Sequence, residues 1–175
     1  MKIQTKRLEL GVISPGCVDT LMELLTDPVV KQTYMVPDFP DPESARALAE
    51  RIIGLSSVED RYVLGIFLEG QMIGILNKTD GEADWLEIGY ALLPRYHNRG
   101  YCTEAVQGVI PWFFAQGFRK VIAGAFETNI PSLRVMEKSG MKKIDRRDEV
   151  TYRGEVHSCV YYVADAGKWE VDQCF

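Results

Sequence analysis

The stretch RYHNRGYCTEA, residues 95–105, decides the fold because it lies where a predicted strand gives way to a predicted helix. Pro94 precedes it and cannot donate to a strand ladder, so we expect strand pairing to end there. Gly100 lets the backbone approach a ligand closely, Asn98 tolerates a positive φ, and a neighbouring arginine adds a cation. Backbone amides 98–103 would then face outward at a positive helix end, which suits a pyrophosphate. Spacing alone favours an ordinary capped helix, so both interpretations stay open at this point.

Apolar periodicity and helix start signals predict the elements on either side of this stretch. Residues 85–93 and 120–126 form apolar strands separated by a helix, an order typical of a parallel pair. We therefore expect a mixed α/β (α+β) fold with a mostly antiparallel central sheet and helices on both faces. The predicted strands are residues 7–13, 61–68, 72–78, 85–93 and 120–126 and two that flank Arg153–Gly154, and the predicted helices begin near Pro15 and Pro42 and span residues 100–116 and 129–140.

The composition is that of a globular protein. With 175 residues, 46% hydrophobic and 26% charged, the chain fits one domain over residues 1–175. Its net charge of −5 opposes a phosphate backbone, so we expect no nucleic-acid partner. We find no apolar leader or membrane span in the sequence and expect a cytoplasmic protein with no membrane partner. Cys17, Cys102, Cys159 and Cys174 lack metal-binding or disulfide spacing, so we expect free thiols and no metal site.

A family resemblance favours the pyrophosphate-binding interpretation of residues 95–105 over the capped-helix interpretation. LLPRYHNRGYCTEAV followed by ETNIPSLRVMEKSGM resembles the GNAT superfamily of acetyl-CoA-dependent N-acetyltransferases, and TKRLEL is similar to its RimJ/RimL-like branch. The likeness covers nearly the whole chain and implies a GNAT fold, with the parallel strand pair splayed, and acetyl-CoA as cofactor. In the family, backbone amides of the segment matching His97 to Cys102 wrap the pyrophosphate. His97, Asn98 and Cys102 depart from the usual residue types, and we expect these changes to be tolerated because amides make the contacts.

The resemblance also implies two sets of binding residues. Tyr34 and Phe39, in the irregular segment TYMVPDFPD, would border the acceptor amine together with Tyr90; the alternative is a partly buried loop. Cys102 is either a reactive thiol or, as we expect, a packed small residue. The implied cofactor-binding residues are Leu92, Leu93, His97, Asn98, Arg99, Gly100, Tyr101, Cys102, Thr103, Asn129 and Ser132.

Acetyl transfer to an amine needs a group that takes a proton from the ammonium and a donor for the departing thiolate. Glu87 lies in the strand that the resemblance places beside the thioester, and it is the candidate general base, acting directly or through water. The alternative is an ordinary solvated strand glutamate. Glu104 is the rival base, but a glutamate in the first turn of a helix is explained by the helix dipole.

The candidate general acid is Ser132. Many family members carry a tyrosine acid where this chain has Met136, which cannot donate that proton. Ser132 matches a serine of the RimJ/RimL-like branch; the alternative is a polar residue that only stabilises a helix start. Asn129 matches a cofactor contact of the family and is equally suited to be the helix N-cap.

The resemblance implies that a bound primary amine attacks the thioester directly in a ternary complex, with no metal. The acceptor is left open between a protein N-terminus and a small-molecule amine, and the oligomeric state is left open too, although members of the branch often form a homodimer. Because the usual tyrosine is missing at Met136, a non-catalytic acyl-CoA-binding or interaction module on the same fold is the main alternative. A nucleotide-binding regulator with the same amide site is the third.

Overall fold

A computed structural model describes residues 2–170 and contains eight strands and four α-helices. The strand order is β1-β2-β3-β4-β5-β6-β8-β7. This confirms the predicted fold class, a mixed and mostly antiparallel sheet with one parallel pair. The strands are β1 (Lys2–Gln4), β2 (Leu8–Gly11), β3 (Val63–Leu68), β4 (Gln71–Gly81), β5 (Trp85–Leu92), β6 (Lys120–Phe126), β7 (Lys142–Tyr152) and β8 (Glu155–Asp165), and the helices are α1 (Val18–Thr26), α2 (Pro42–Ser56), α3 (Tyr101–Ala115) and α4 (Ile130–Lys138).

The chain forms two compact units, and β4, β5 and α3 contribute residues to both. The first unit contains residues 2–78 and 90–105. Its strands β1, β2, β3 and β4 pair antiparallel in sequence order. Helices α1 and α2 pack on each other and supply much of its apolar core, whose buried members include Leu21, Leu24, Leu25, Ala49 and Ile53.

The second unit contains residues 79–89 and 106–170. The parallel register joins β5 to β6 from the Trp85–Lys120 pair to the Glu87–Ile122 pair, so the paired stretch ends at Glu87, as expected for a splayed pair. Strand β8 pairs antiparallel with both β6 and β7, and α4 packs against β6 and β7. The turn Arg153–Gly154 joins β7 to β8 where the sequence predicts it.

Two helix caps are present, Asn129, which the sequence suggests, and Asp41, which precedes the predicted start near Pro42. The Asp41 carboxylate accepts a hydrogen bond from the Ser44 amide at the start of α2, and the Asn129 side chain does the same for the Ser132 amide at the start of α4. These bonds satisfy amides that a helix leaves without intrahelical partners. Strand β1 was not predicted, because three residues are too few to show a period.

No helix within residues 2–170 is long and apolar enough to cross a membrane.

The first prediction concerns Gly74, where β4 approaches β5 closely within the first unit. A Cβ atom at Gly74 would lie 2.3 Å from the Ala91 carbonyl oxygen, so Gly74→Ala forces backbone to move. We expect it to lower the free energy of unfolding by roughly 2 kcal/mol or more, measured by urea denaturation. Gly54→Ala is the matched control, because no atom lies within 4 Å of its Cβ position in α2. That change should stabilise by roughly 0.5–1 kcal/mol, and equal effects of the two substitutions would contradict the prediction.

Candidate functional site

The loop between β5 and α3 contains two residues in the left-handed region. Asn98 has a φ of 58° and Gly100 a φ of 79°. Asparagine is one of the few non-glycine residues that adopt this conformation readily, so it can replace the glycine that is commoner at this position. Strand β5 ends at Leu92, and a short 3₁₀ turn, Pro94–Tyr96, leads into the loop. The structure thus places Asn98 and Gly100 as the sequence predicts.

The start of α3 is suited to an anion. Its first intrahelical hydrogen bond runs from the Glu104 amide to the Gly100 carbonyl oxygen, at 3.0 Å. Helix geometry therefore directs the amides of Tyr101 and Cys102 beyond the helix end, where the helix dipole is positive. Amides in this arrangement bind phosphate groups.

Leu92, Leu93 and His97, which precede Asn98, make hydrogen bonds within the chain. His97 Nε2 lies 2.8 Å from the Leu92 carbonyl oxygen, and the Leu93 amide donates to the Ile73 carbonyl oxygen at 2.9 Å. Both leucine side chains are buried. Leu92 and Leu93 can therefore meet a ligand only through their backbones, while the His97 side chain links the first residue of the loop of residues 97–100 to the end of β5.

Glu104, the alternative candidate for the general base, is buried and held by hydrogen bonds within the protein. It is 5% exposed and accepts hydrogen bonds from Thr5 Oγ1 at 2.7 Å and from Arg7 Nε at 2.6 Å. Burial raises its pKa, but the hydrogen bonds from Thr5 and Arg7 outweigh that effect and hold the pKa below its ordinary value. A carboxylate engaged in this way is a poor proton acceptor. The sequence interpretation of Glu104 as part of the helix start agrees with this placement, although its partners were not predicted.

Cys102 lies in the first turn of α3, where a helix dipole would ordinarily favour a thiolate. The residue is partly exposed, yet protein surrounds its thiol, and this burial raises the pKa of the Cys102 thiol to about 12. The thiol is therefore protonated near neutrality. Cys17, Cys102 and Cys159 are all free thiols; Cys174 lies outside the described residues.

In the second unit, Glu87 is half-buried and lies beside one cation. Its side chain is 18% exposed, and Oε2 accepts a hydrogen bond from Arg146 Nη1 at 3.2 Å. Thr79 Oγ1 lies 3.5 Å from Oε1 and 3.3 Å from the Glu87 carbonyl oxygen. Burial raises the pKa of the Glu87 carboxyl above its ordinary value, and the attraction of Arg146 offsets only part of that rise. A carboxylate with a raised pKa is better suited to take a proton near neutrality.

Arg146 reaches Glu87 because β7 is irregular at this point. The register shifts between Ile144 and Arg147, as in a β-bulge, which can redirect side chains. Arg146 also contacts Asp148 at 3.0 Å, and its guanidinium carbon lies 3.8 Å from the centre of the Tyr161 ring. Burial and the hydrogen bond to Asp148 raise the pKa of the Tyr161 phenol. Arg146, Asp148 and Tyr161 were all missed by sequence reasoning, since nothing in their spacing connects them to Glu87.

Asn129 and Ser132 are brought together at the start of α4. The Asn129 side chain accepts a hydrogen bond from the Ser132 amide at 3.3 Å, so Asn129 is a helix cap. Both residues are partly exposed. Met136, one turn further along α4, is fully buried, so the position at which the resemblance would imply a tyrosine is a core position here. Ser132 is therefore left as the candidate proton donor on this helix.

The segment predicted to border the acceptor belongs to the first unit. Tyr34 donates a hydrogen bond to Asn77 Oδ1 at 2.6 Å, and burial raises the pKa of its phenol. Tyr34 and Phe39 pack against the apolar core. The Lys31 ammonium lies 5.6 Å from the centre of the Phe39 ring. Tyr34 and Phe39 therefore hold the segment against the core of the first unit. Tyr90, the third residue predicted to border the acceptor, lies on β5 and is partly buried.

Within residues 2–170, no three His, Cys, Asp or Glu side chains are grouped so that they could hold a metal ion.

Comparison with known proteins gives concordant results. A family model described as an acetyltransferase (GNAT) domain matches residues 7–142. The uncharacterized N-acetyltransferase YnaD of Bacillus subtilis (strain 168) is 30% identical over 146 residues, which are 82% of this chain and 84% of YnaD.

Two solved structures share the fold. A GNAT-family acetyltransferase from Bacillus anthracis has a TM-score of 0.83 at 24% identity, with 96% of this chain and 100% of that chain covered. RimL, a ribosomal L7/L12 alpha-N-protein acetyltransferase solved in complex with coenzyme A, has a TM-score of 0.80 at 19% identity, with 94% and 98% covered.

The burial of the Cys102 thiol gives the second prediction. With a pKa of about 12, Cys102 should react with iodoacetamide at pH 7.5 at least about tenfold more slowly than glutathione, because the thiolate is the reactive form. Peptide mapping by mass spectrometry measures the rate, and the protein unfolded in urea is the control, in which Cys102 should react at an ordinary rate. Alkylation of folded Cys102 as fast as glutathione would contradict it.

Proposed function

Because this chain belongs to the acetyltransferase (GNAT) domain family, and is thus an acyltransferase that uses acetyl-CoA, we propose that it acetylates a primary amine by direct attack in a ternary complex. The half-buried carboxylate of Glu87 with its raised pKa carries the mechanistic proposal. We further propose that the two compact units act as one acetyltransferase domain.

We propose that the loop of residues 97–100, in the first unit, binds coenzyme A. Two left-handed residues, Asn98 and Gly100, shape the turn, and the amides of Tyr101 and Cys102 follow in the first turn of α3, where a helix leaves amides without intrahelical partners. Arg99 adds a cation to this segment. The donor set of amides plus a guanidinium fits a pyrophosphate, and the remaining cofactor residues proposed from the family likeness are Leu92, Leu93, His97, Tyr101, Cys102, Thr103, Asn129 and Ser132.

Glu87 is proposed to be the general base. An aliphatic ammonium has a pKa near 10, so the amine must lose a proton before it can attack. Burial makes the Glu87 carboxylate more basic, and the charge and hydrogen bond of Arg146 offset only part of that rise in its pKa. Glu87 therefore has an enhanced affinity for a proton.

Ser132 is proposed to be the general acid. When the new nitrogen–carbon bond forms and the carbon–sulfur bond breaks, the sulfur leaves with the electron pair and takes up a proton. Met136 cannot supply that proton because its thioether carries none. Ser132, one turn earlier and partly exposed, carries a hydroxyl that can do so.

The acceptor is proposed to be a primary amine of a protein N-terminus or of a small molecule. RimL, which shares the fold, is described as an alpha-N-protein acetyltransferase. The net charge of −5 favours a cationic acceptor, as an amine is before it loses its proton. Tyr34, Phe39 and Tyr90 are proposed to border it.

The third prediction tests the two proposed catalytic groups. Glu87→Gln should lower kcat roughly 100-fold or more with the dissociation constant of coenzyme A nearly unchanged, because it removes a proton transfer rather than a binding contact. Ser132→Ala should lower kcat roughly tenfold and lower it more than the affinity for coenzyme A, since Ser132 is also a proposed cofactor contact. Thiol release against a panel of amines and N-terminal peptides measures kcat, and calorimetry measures binding.

Glu127→Gln is the matched control, since Glu127 is an exposed glutamate of the same unit that pairs with Arg147. It should keep the wild-type rate. Full activity of Glu87→Gln would remove Glu87 as the base. If the wild type binds coenzyme A but releases no thiol with any amine, the chain is a non-catalytic acyl-CoA-binding module.

The fourth prediction concerns pH. Arg146 lowers the pKa of Glu87, so Arg146→Gln should raise that pKa and move the acid limb of the kcat/KM profile to higher pH. The sign follows because the ionised carboxylate is the active form. Arg147→Gln is the control, because Arg147 pairs with Glu127 and should leave the limb in place. An acid limb that Arg146→Gln leaves unmoved, or moves to lower pH, would contradict Glu87 as the titrating base.

A further inference from the structure

We propose that Arg7 and Glu104 form a positioning pair that holds the loop of residues 97–100 in its pyrophosphate-binding shape. The inference rests on the proposed binding of coenzyme A by this loop. The pair lies wholly in the first unit and joins the chain just before β2 to the first turn of α3. Neither residue is proposed to touch the acetyl group or the amine.

Arg7 contacts the loop and the helix at the same time. Its Nη1 donates to the Arg99 carbonyl oxygen at 3.1 Å, and its Nε donates to Glu104 Oε2 at 2.6 Å. The guanidinium carbon lies 4.5 Å from the centre of the Tyr101 ring. A planar guanidinium can make these three contacts together, which a lysine ammonium cannot. Arg7 thereby fixes Arg99, which lies between the two left-handed residues.

Glu104 in turn fixes Arg7. Its Oε1 accepts from the Arg7 backbone amide at 2.6 Å and from Thr5 Oγ1 at 2.7 Å, in addition to the Arg7 Nε bond on Oε2. The side chain is 6% exposed. A buried carboxylate with three donors is held far more rigidly than an exposed ion pair, because leaving it unpaired would be costly. Backbone and side chain of Arg7 are therefore both positioned from α3.

The loop benefits from such support because asparagine, although it adopts a left-handed φ more readily than other non-glycine residues, still does so at a higher cost than glycine. A left-handed φ at a residue other than glycine persists only where the surroundings determine it. Gly100 is also close to the pair, since a Cβ atom there would lie 3.4 Å from Arg7 Nη2. Without Arg7, the loop would lose the hydrogen bond to Arg99 and the packing on Tyr101 together.

The pair also makes an electrostatic test possible. Glu104 is a negative charge in the first turn of α3, where by itself it would repel a pyrophosphate. If the pair acted through charge alone, Glu104→Gln should tighten binding of coenzyme A and Arg7→Gln should weaken it. If the pair positions the loop, both substitutions should weaken binding.

The experiment measures the dissociation constant of coenzyme A by calorimetry for the wild type, Arg7→Gln, Arg7→Lys and Glu104→Gln. We expect a rise of roughly tenfold for each variant, the size of losing a charge-assisted hydrogen bond. Arg7→Lys keeps the charge and is the variant least prone to unfold. Arg46→Gln is the matched control, because it removes a cation from an exposed pair with Asp19 in the same unit, and it should bind like the wild type.

A second ligand separates positioning of the loop from general loss of structure. Pantetheine has the thiol arm of coenzyme A but no pyrophosphate, and its dissociation constant, measured by ligand-observed NMR, should change less than about twofold. Tighter or unchanged binding of coenzyme A by Glu104→Gln would overturn the proposal, and so would parallel losses for both ligands. If the wild type does not bind coenzyme A, the proposed binding of coenzyme A by the loop is wrong. That result is distinguishable from failure of the positioning proposal, in which the wild type binds and the variants do not behave as expected.

Discussion

The geometry of the loop of residues 97–100 depends on the hydrogen bonds that the buried Glu104 carboxylate accepts. This carboxylate ties Thr5 and Arg7 to the first turn of α3, and Arg7 reaches from there to the carbonyl group of Arg99. Removing the Thr5 or Arg7 donor would leave the buried Glu104 carboxylate short of a partner, which costs more than the bond itself contributes. Asn98 and Gly100, the two left-handed residues on either side of Arg99, are thereby held at the positive end of a helix, an arrangement suited to an anion.

The second unit uses an arginine for a different purpose. Arg146 is shared between Glu87 and Asp148 and rests on the Tyr161 ring, so its charge is divided between two carboxylates. The attraction of Arg146 consequently lowers the pKa of Glu87 but does not cancel the larger effect of burial, so the pKa stays above its ordinary value. A carboxylate that had Arg146 to itself would be a weaker base. Arg146 lies within the stretch of β7 where the register shifts, between Ile144 and Arg147.

Local features of the fold were predictable from the sequence because they depend on residues that are close together in the chain. The caps Asp41 and Asn129 and the parallel pair of β5 and β6 follow from short-range patterns, and the positive φ of Asn98 follows from residue type. The partners of Glu104 and Glu87 were not predictable. Arg7 lies 97 residues before Glu104, and Arg146 lies 59 residues after Glu87, so only the folded chain brings them together.

The most direct test of the proposed function is an amide chemical-shift titration of the nitrogen-15-labelled protein with coenzyme A. We expect the largest perturbations at the backbone amides of residues 98–103, because these groups should donate hydrogen bonds to the pyrophosphate. Large perturbations elsewhere, with the amides of residues 98–103 unmoved at saturation, would show that the loop does not bind the pyrophosphate. Residues 95–105 would then be a capped helix start and nothing more.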